Sequence, residues 1–168
     1  LGLTGCALPP VNITRPTNAP TGTVASQLDH VAAVYATNTE QLGISVLDLR
    51  SNNEWGFKGE YSSQSASMAK VMIVALALRT ARAQGHALAF EQQTDASNAL
   101  INSDNDSADR LWRYVGGDIN DTSQANLDRA ADAYQRLANE LEMTSTTRDP
   151  NRPDWSWTHT TPHDQVVL

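Results

Sequence analysis

The chain has 168 residues, 40% of them hydrophobic, and a formal net charge of −7. This length and composition are sufficient for one domain with a buried core. The acidic balance argues against a nucleic-acid partner, because a phosphate backbone requires a stripe of positive charge. No apolar run approaches the roughly 20 residues needed to cross a bilayer.

The N-terminal segment carries the only cysteine, Cys6, at the end of the sequence Leu3-Thr4-Gly5-Cys6. This sequence resembles the lipobox of bacterial lipoproteins, which implies a lipid on Cys6, attachment to the cell membrane and an extracytoplasmic location. The alternative is a free cysteine in a disordered leader. Because only five residues precede Cys6, we expect a signal peptide to have been cut away. Residues 7–22 are rich in Pro and Thr, which predicts an extended tether, so we assign 1–23 to the lipobox and tether and 24–168 to the domain.

The first elements of the domain are predicted from periodicity and turn residues. Apolar residues at helical spacing indicate a helix over 26–36, with Ser26 as a possible cap. Alternating apolar residues then indicate a β-hairpin with strands at 43–49 and 54–61 and a turn at 51–53. A helix from about Met68 to Gln84 follows, and because it is apolar nearly all round we expect it to be buried at the centre.

The remaining elements are predicted to be helices and one ordered loop. Short helices are expected over 94–101 and 106–115, and a longer helix after a capping box formed by Asp121 and Gln124. Residues 144–159 indicate a loop with tryptophan anchors. A last helix begins at Pro162 with a capping threonine before it; because it reaches residue 168 without a C-cap, we expect the chain to continue.

The sequence Ser67-Met68-Ala69-Lys70 is the first candidate for chemistry. Three residues on a helix bring two side chains onto one face, so the Ser67 hydroxyl and the Lys70 amine can touch. Burial and the positive end of the helix dipole both disfavour an ammonium in the first turn, which favours an amine able to accept the Ser67 proton. The alternative is that Ser67 is an ordinary helix cap.

The sequence Ser103-Asp104-Asn105 is the second candidate, and by itself it is typical of helix capping. A tetrad of the form S-x-x-K that opens a buried helix, followed by S-D-N at a helix junction, resembles the serine β-lactamases and penicillin-binding proteins, the class A group most closely. The resemblance covers most of residues 26–168. It implies an α+β fold in which the hairpin belongs to a partial antiparallel sheet, packed on a helical layer, with the C-terminal strands beyond residue 168.

The resemblance also implies roles for four residues. Ser67 would be the acyl-accepting nucleophile and Lys70 its proton acceptor, while Ser103 would relay a proton to the departing amine. Asn105 would hold the amide side chain of the substrate, a β-lactam or a D-alanyl peptide. No cofactor is implied, and no metal-ligand spacing is visible in the sequence.

Three departures from the family pattern bear on function. Ser103 lies only 36 positions after Ser67, which is shorter than the family usually has and puts the substrate fit in doubt. The K-T-G element of a later strand is missing from the chain. The glutamate that activates water for deacylation is also missing from its usual loop; Asp149 or Asp154 could replace it, and the alternative is that the Arg148-Asp149 pair only staples the loop.

We therefore predict a lipid-anchored serine hydrolase that is acylated on Ser67 and deacylates poorly. Two alternatives remain open. One is a catalytically silent lipoprotein that keeps the fold and uses it for binding. The other is a plain helical envelope protein in which both motifs are caps.

Overall fold

The computed structural model describes residues 23–36, 42–152 and 154–168. Within these residues the fold is α+β, with six α-helices and two small antiparallel sheets, which confirms the predicted class. The lipobox at Cys6 and the tether over 7–22 lie outside the described residues. In the described part of the chain, no helix combines the length and the apolar character that a membrane span requires.

The first helix, α1, spans Val24–Ala36 and starts two residues before the predicted boundary. The Thr23 hydroxyl oxygen accepts the Ser26 backbone N–H at 3.3 Å, so Thr23 caps the helix and the predicted cap at Ser26 is wrong. The indole N–H of Trp55 donates to Asp29 at 2.8 Å and ties α1 to the hairpin.

The hairpin is confirmed, with shorter strands than predicted. Strand β1 spans Ile44–Asp48 and pairs antiparallel with β2, Asn53–Phe57. Asn53, predicted in the turn, instead opens β2 opposite Asp48. The Asp48 carboxylate organises the connection by accepting the Arg50 backbone N–H at 2.9 Å and the Ser51 hydroxyl at 2.7 Å.

The central helix is preceded by a 3-10 turn, Ala66–Met68, and then runs as α2 over Ala69–Ala83. Gly85, with φ of +81°, ends it as predicted. The face of α2 turned toward the other helices is buried, whereas Val71 and Leu78 are about half exposed (48% and 53%). The helix is therefore central but not buried all round, because it packs on neighbours over only part of its circumference.

Three further helices build the layer around α2: α3 at Phe90–Ile101, α4 at Asn105–Gly116 and α5 at Gln124–Glu140. Trp112 of α4 and Tyr134 of α5 meet in the core edge to face, with ring centroids 5.9 Å apart.

Two of these helices begin elsewhere than predicted. Helix α3 starts four residues earlier, because the Gln92 side chain accepts the Ala89 backbone N–H at 2.9 Å and satisfies the first turn. Helix α5 is capped by Ser123, whose hydroxyl accepts the Asn126 N–H at 3.3 Å, and not by Asp121. Asp121 instead accepts the backbone N–H of Ser123, two residues further on, just before the helix begins.

The predicted loop over 144–159 contains short regular pieces. A 3-10 turn spans Trp155–Trp157, and β4, His159–Thr160, pairs with β3, Ser63–Gln64, just before the central helix. Helix α6 spans Pro162–Val167 and is capped by Thr161, as predicted. The loop is therefore anchored beside the start of the central helix.

Candidate active site

Ser67 lies in the 3-10 turn that leads into α2, and its side chain is exposed. Neither the start of this turn nor the start of α2 has a side-chain capping bond, so the alternative that Ser67 is an ordinary cap is wrong. Its backbone N–H belongs to a first helical turn, where amides have no partner inside the helix and can stabilise an oxyanion. The hydroxyl is thus open to solvent and available for chemistry.

Lys70 lies one turn later and is buried, with 1% of its surface exposed. Its amine lies within hydrogen-bond distance of four oxygen atoms: the Ser103 carbonyl at 2.5 Å, Asn105 Oδ1 at 2.7 Å, Ser103 Oγ at 3.0 Å and Ser67 Oγ at 3.4 Å. A buried amine needs such partners, because an unpaired polar group away from water is costly. The structure thus places the amine between Ser67 and the second motif.

The three side chains of the second motif have two different roles: one caps a helix and two contact Lys70. Asp104 is the cap of α4, and its carboxylate accepts the Ser107 backbone N–H at 2.7 Å. Hydrogen bonds from Ser107 hold the pKa of the Asp104 carboxyl below its ordinary value. The capping interpretation therefore applies to Asp104, while Ser103 and Asn105 face Lys70.

Ser103 joins the cluster through both its backbone and its side chain. With φ of +54° it adopts a left-handed conformation uncommon for a residue with a β-carbon. Its carbonyl accepts from Lys70, and its hydroxyl donates to Ser67 Oγ at 3.0 Å. The two serines are 36 positions apart in the sequence, so their proximity is a property of the fold and not of local geometry. The structure thus brings together all four residues that the two motifs predicted.

An aromatic residue that the sequence analysis did not assign to the site completes it. The ring centroid of Trp155 lies 5.2 Å from Lys70 Nζ. The sequence identified Trp155 only as a loop anchor, because nothing in the pattern of 144–159 connects it with a residue 85 positions earlier.

The two loop acids proposed to replace the deacylating glutamate are engaged locally. Asp149 accepts the Asn151 backbone N–H at 2.8 Å, and Asp154 accepts the Ser156 N–H at 3.1 Å as the cap of the 3-10 turn. These bonds are typical of Asx turns and give both carboxylates a structural role.

A cavity of about 510 Å³ lies beside the cluster, between β1, β3 and α6. Met68 contributes to its wall, but Ser67 and Lys70 do not line it. The cavity is therefore a neighbour of the candidate site and not part of it. Among residues 23–36, 42–152 and 154–168, no group of three His, Cys, Asp or Glu side chains is arranged to hold a metal ion.

The exposed serine, the buried lysine and the second serine place two hydroxyls and an amine within hydrogen-bond reach of one another, which are groups that acyl transfer to a serine can use. Comparison with known proteins shows a similarity over part of the chain: the model of the β-lactamase enzyme family (Beta-lactamase2) matches residues 23–96. This match supports the predicted resemblance to the serine β-lactamases and, in general, a β-lactamase-like hydrolase.

The matched stretch contains Ser67 and Lys70 and ends before Ser103. No curated protein and no solved structure matched the chain.

Proposed function

We propose that the protein is an extracytoplasmic serine hydrolase that is acylated on Ser67 by a β-lactam or a peptide amide carbonyl and deacylates slowly. The observation that carries the proposal is the position of Ser67 Oγ, 3.4 Å from the buried amine of Lys70 and 3.0 Å from Ser103 Oγ. These contacts supply a nucleophile, a base and a second hydroxyl within hydrogen-bond reach of one another.

The acylation step follows from these contacts. The neutral amine of Lys70 takes the proton of Ser67 Oγ, which attacks the carbonyl carbon. The C–N bond breaks, and the Ser103 hydroxyl gives its proton to the leaving nitrogen. Ser103 then recovers a proton from Lys70 across 3.0 Å, so the amine returns to its neutral form and the step balances. Asn105 uses its amide oxygen on Lys70, which leaves its NH₂ group to donate to a substrate carbonyl.

Slow deacylation is proposed because hydrolysis of the acyl-enzyme needs a base for the attacking water. Asp149 and Asp154 accept backbone N–H groups within their own loop. Glu140, at the end of α5, instead pairs with Arg79 at 2.5 Å on the surface. These engagements favour a long-lived acyl-enzyme over efficient antibiotic hydrolysis.

The test is covalent labelling of the full-length protein with a labelled penicillin, followed by mass spectrometry of the peptide that contains Ser67. Ser67→Ala should abolish the adduct, and Lys70→Ala should slow its formation by roughly 10²- to 10⁴-fold because the hydroxyl loses its base. Matched controls are Ser62→Ala, at an exposed serine before the site, and Lys58→Ala, at the other lysine of the chain. Absence of label from both penicillins and D-alanyl peptide mimics would favour the silent binding protein.

The cellular location is a separate proposal that rests on the lipobox resemblance at Cys6. The full-length precursor expressed in a bacterium should partition with membranes, and Cys6→Ser should release it or block its processing. Stable attachment is expected to require a diacyl anchor, since one chain binds only marginally. A wild-type precursor found wholly in the cytoplasmic fraction would end this proposal.

A further inference from the structure

We infer that Trp155 is a positioning residue that holds the Lys70 amine in place and shields it from water during acylation. The inference rests on the proposed function, because it assigns a part in the same reaction to a residue outside both motifs.

The ring of Trp155 closes one side of the Lys70 amine. Its centroid lies 5.2 Å from Nζ, within the distance at which an ammonium is attracted to the face of an indole. Trp155 is itself buried, with 6% of its surface exposed, and Lys70 is 1% exposed. The two side chains therefore meet where water does not reach them.

Hydrogen bonds fix Trp155 to the two segments that contain the candidate active-site residues. Its indole N–H donates to Asp109 Oδ1 of α4 at 2.7 Å. Its carbonyl accepts the Thr158 hydroxyl at 2.9 Å, and that hydroxyl shares a short, buried hydrogen bond with Ser65, two residues before Ser67. Trp155 is thus held to the helix of the second motif and to the segment that presents the nucleophile.

These contacts restrict the orientations that the Lys70 amine can adopt. The three shortest contacts of the amine all go to Ser103 and Asn105. With an indole ring over another side, Lys70 cannot turn toward solvent without displacing the ring. When Lys70 takes the Ser67 proton, the charge forms beside an electron-rich aromatic face that needs no reorganisation. Loss of the ring should therefore slow the chemical step more than it weakens substrate binding.

The first measurement is acylation kinetics in the full-length protein. Trp155→Leu should lower the maximal acylation rate by about tenfold and leave the half-saturating penicillin concentration nearly unchanged, because a side chain 6% exposed offers little surface to a substrate. Trp155→Phe keeps an aromatic face and should retain most of the rate. Trp157→Leu is the matched control, since Trp157 stacks on Arg152 and not on Lys70.

The second measurement does not depend on acylation by penicillin. Lys58 and Lys70 are the only lysines of the chain, so modification by an amine-reactive reagent can be assigned to each by peptide mass. Exposed Lys58 should react readily in every variant. Buried Lys70 should be protected in the wild type and in Trp155→Phe, and should become reactive in Trp155→Leu.

The outcomes separate the two proposals. A wild type that takes no label, together with Lys70 that becomes reactive only in Trp155→Leu, contradicts the proposed function and supports the positioning role of the ring. A labelled wild type with unchanged acylation and unchanged Lys70 protection in folded Trp155→Leu overturns the inference. If Trp155→Leu does not fold, Asp109→Leu is the substitute, because it removes the oxygen that accepts the indole N–H of Trp155. Asp109→Asn keeps an oxygen acceptor and should behave as wild type.

Discussion

Replacement of Ser103 by alanine separates proton transfer from the positioning of Lys70. The substitution removes the hydroxyl that lies 3.0 Å from both Ser67 Oγ and Lys70 Nζ. It leaves the Ser103 carbonyl at 2.5 Å and Asn105 Oδ1 at 2.7 Å, so the amine keeps its two shortest contacts. We therefore expect Lys70 to stay in place while the leaving nitrogen loses its proton donor.

The expected magnitude differs between activity and stability. A positioned general acid contributes roughly 10²- to 10⁴-fold, so the acylation rate should fall by that factor. Ser103 is exposed and water can replace its hydroxyl, so the stability should fall by less than about 1 kcal/mol, or about 4 °C in Tm.

The assay is stopped-flow or quenched labelling with penicillin, with a thermal melt of each protein. Asn102→Ala is the control, because its amide makes only a surface contact with Asn98. Acylation of Ser103→Ala within about threefold of wild type would refute the relay.

Two further predictions concern the framework. Gly116→Ala would place a β-carbon 2.2 Å from the Asn126 carbonyl oxygen, so urea unfolding should show that the free energy of unfolding falls by roughly 1–3 kcal/mol. Gly56→Ala, with its nearest atom at 3.8 Å, should be nearly neutral. Glu54 raises the pKa of His163 above its ordinary 6.5, while the hydroxyl of Ser45 and then His163 lower the pKa of Glu54 below 4.5. The pair should therefore stabilise the folded state most between about pH 4.5 and 6.5. This stabilisation should be lost as the pH rises through the pKa of His163 or falls through the pKa of Glu54. Because both side chains are partly exposed, His163→Ala should cost at most about 1 kcal/mol at pH 5.5 and less at pH 8.5, as urea unfolding at the two values would show.

The elements that the sequence predicted well are those with strong local signals. The hairpin follows from alternating apolar residues, and α6 follows from Thr161 before Pro162. Helix starts were less accurate, because several hydroxyls and carboxylates compete for the same first turn. Thr23 and Ser123 cap α1 and α5 where Ser26 and Asp121 were expected.

The residues of the candidate site also differ in how far the sequence predicted their positions. The contact of Ser67 with Lys70 was predictable from helical spacing, and the proximity of Ser103 was predictable only through the family resemblance. The place of Trp155 was not predictable from either, because it depends on the path of a loop 85 positions away from Lys70. Long-range side-chain contacts of this kind carry no periodicity that a single sequence would reveal.

The central claim is that Ser67 becomes covalently acylated faster than the acyl group is hydrolysed from it. Its most direct test is the time course of intact mass after one addition of labelled penicillin to the full-length protein. We expect one equivalent of adduct, located on Ser67 by peptide mapping, that forms rapidly and persists after free penicillin is removed. No adduct, or an adduct located away from Ser67, would contradict the claim.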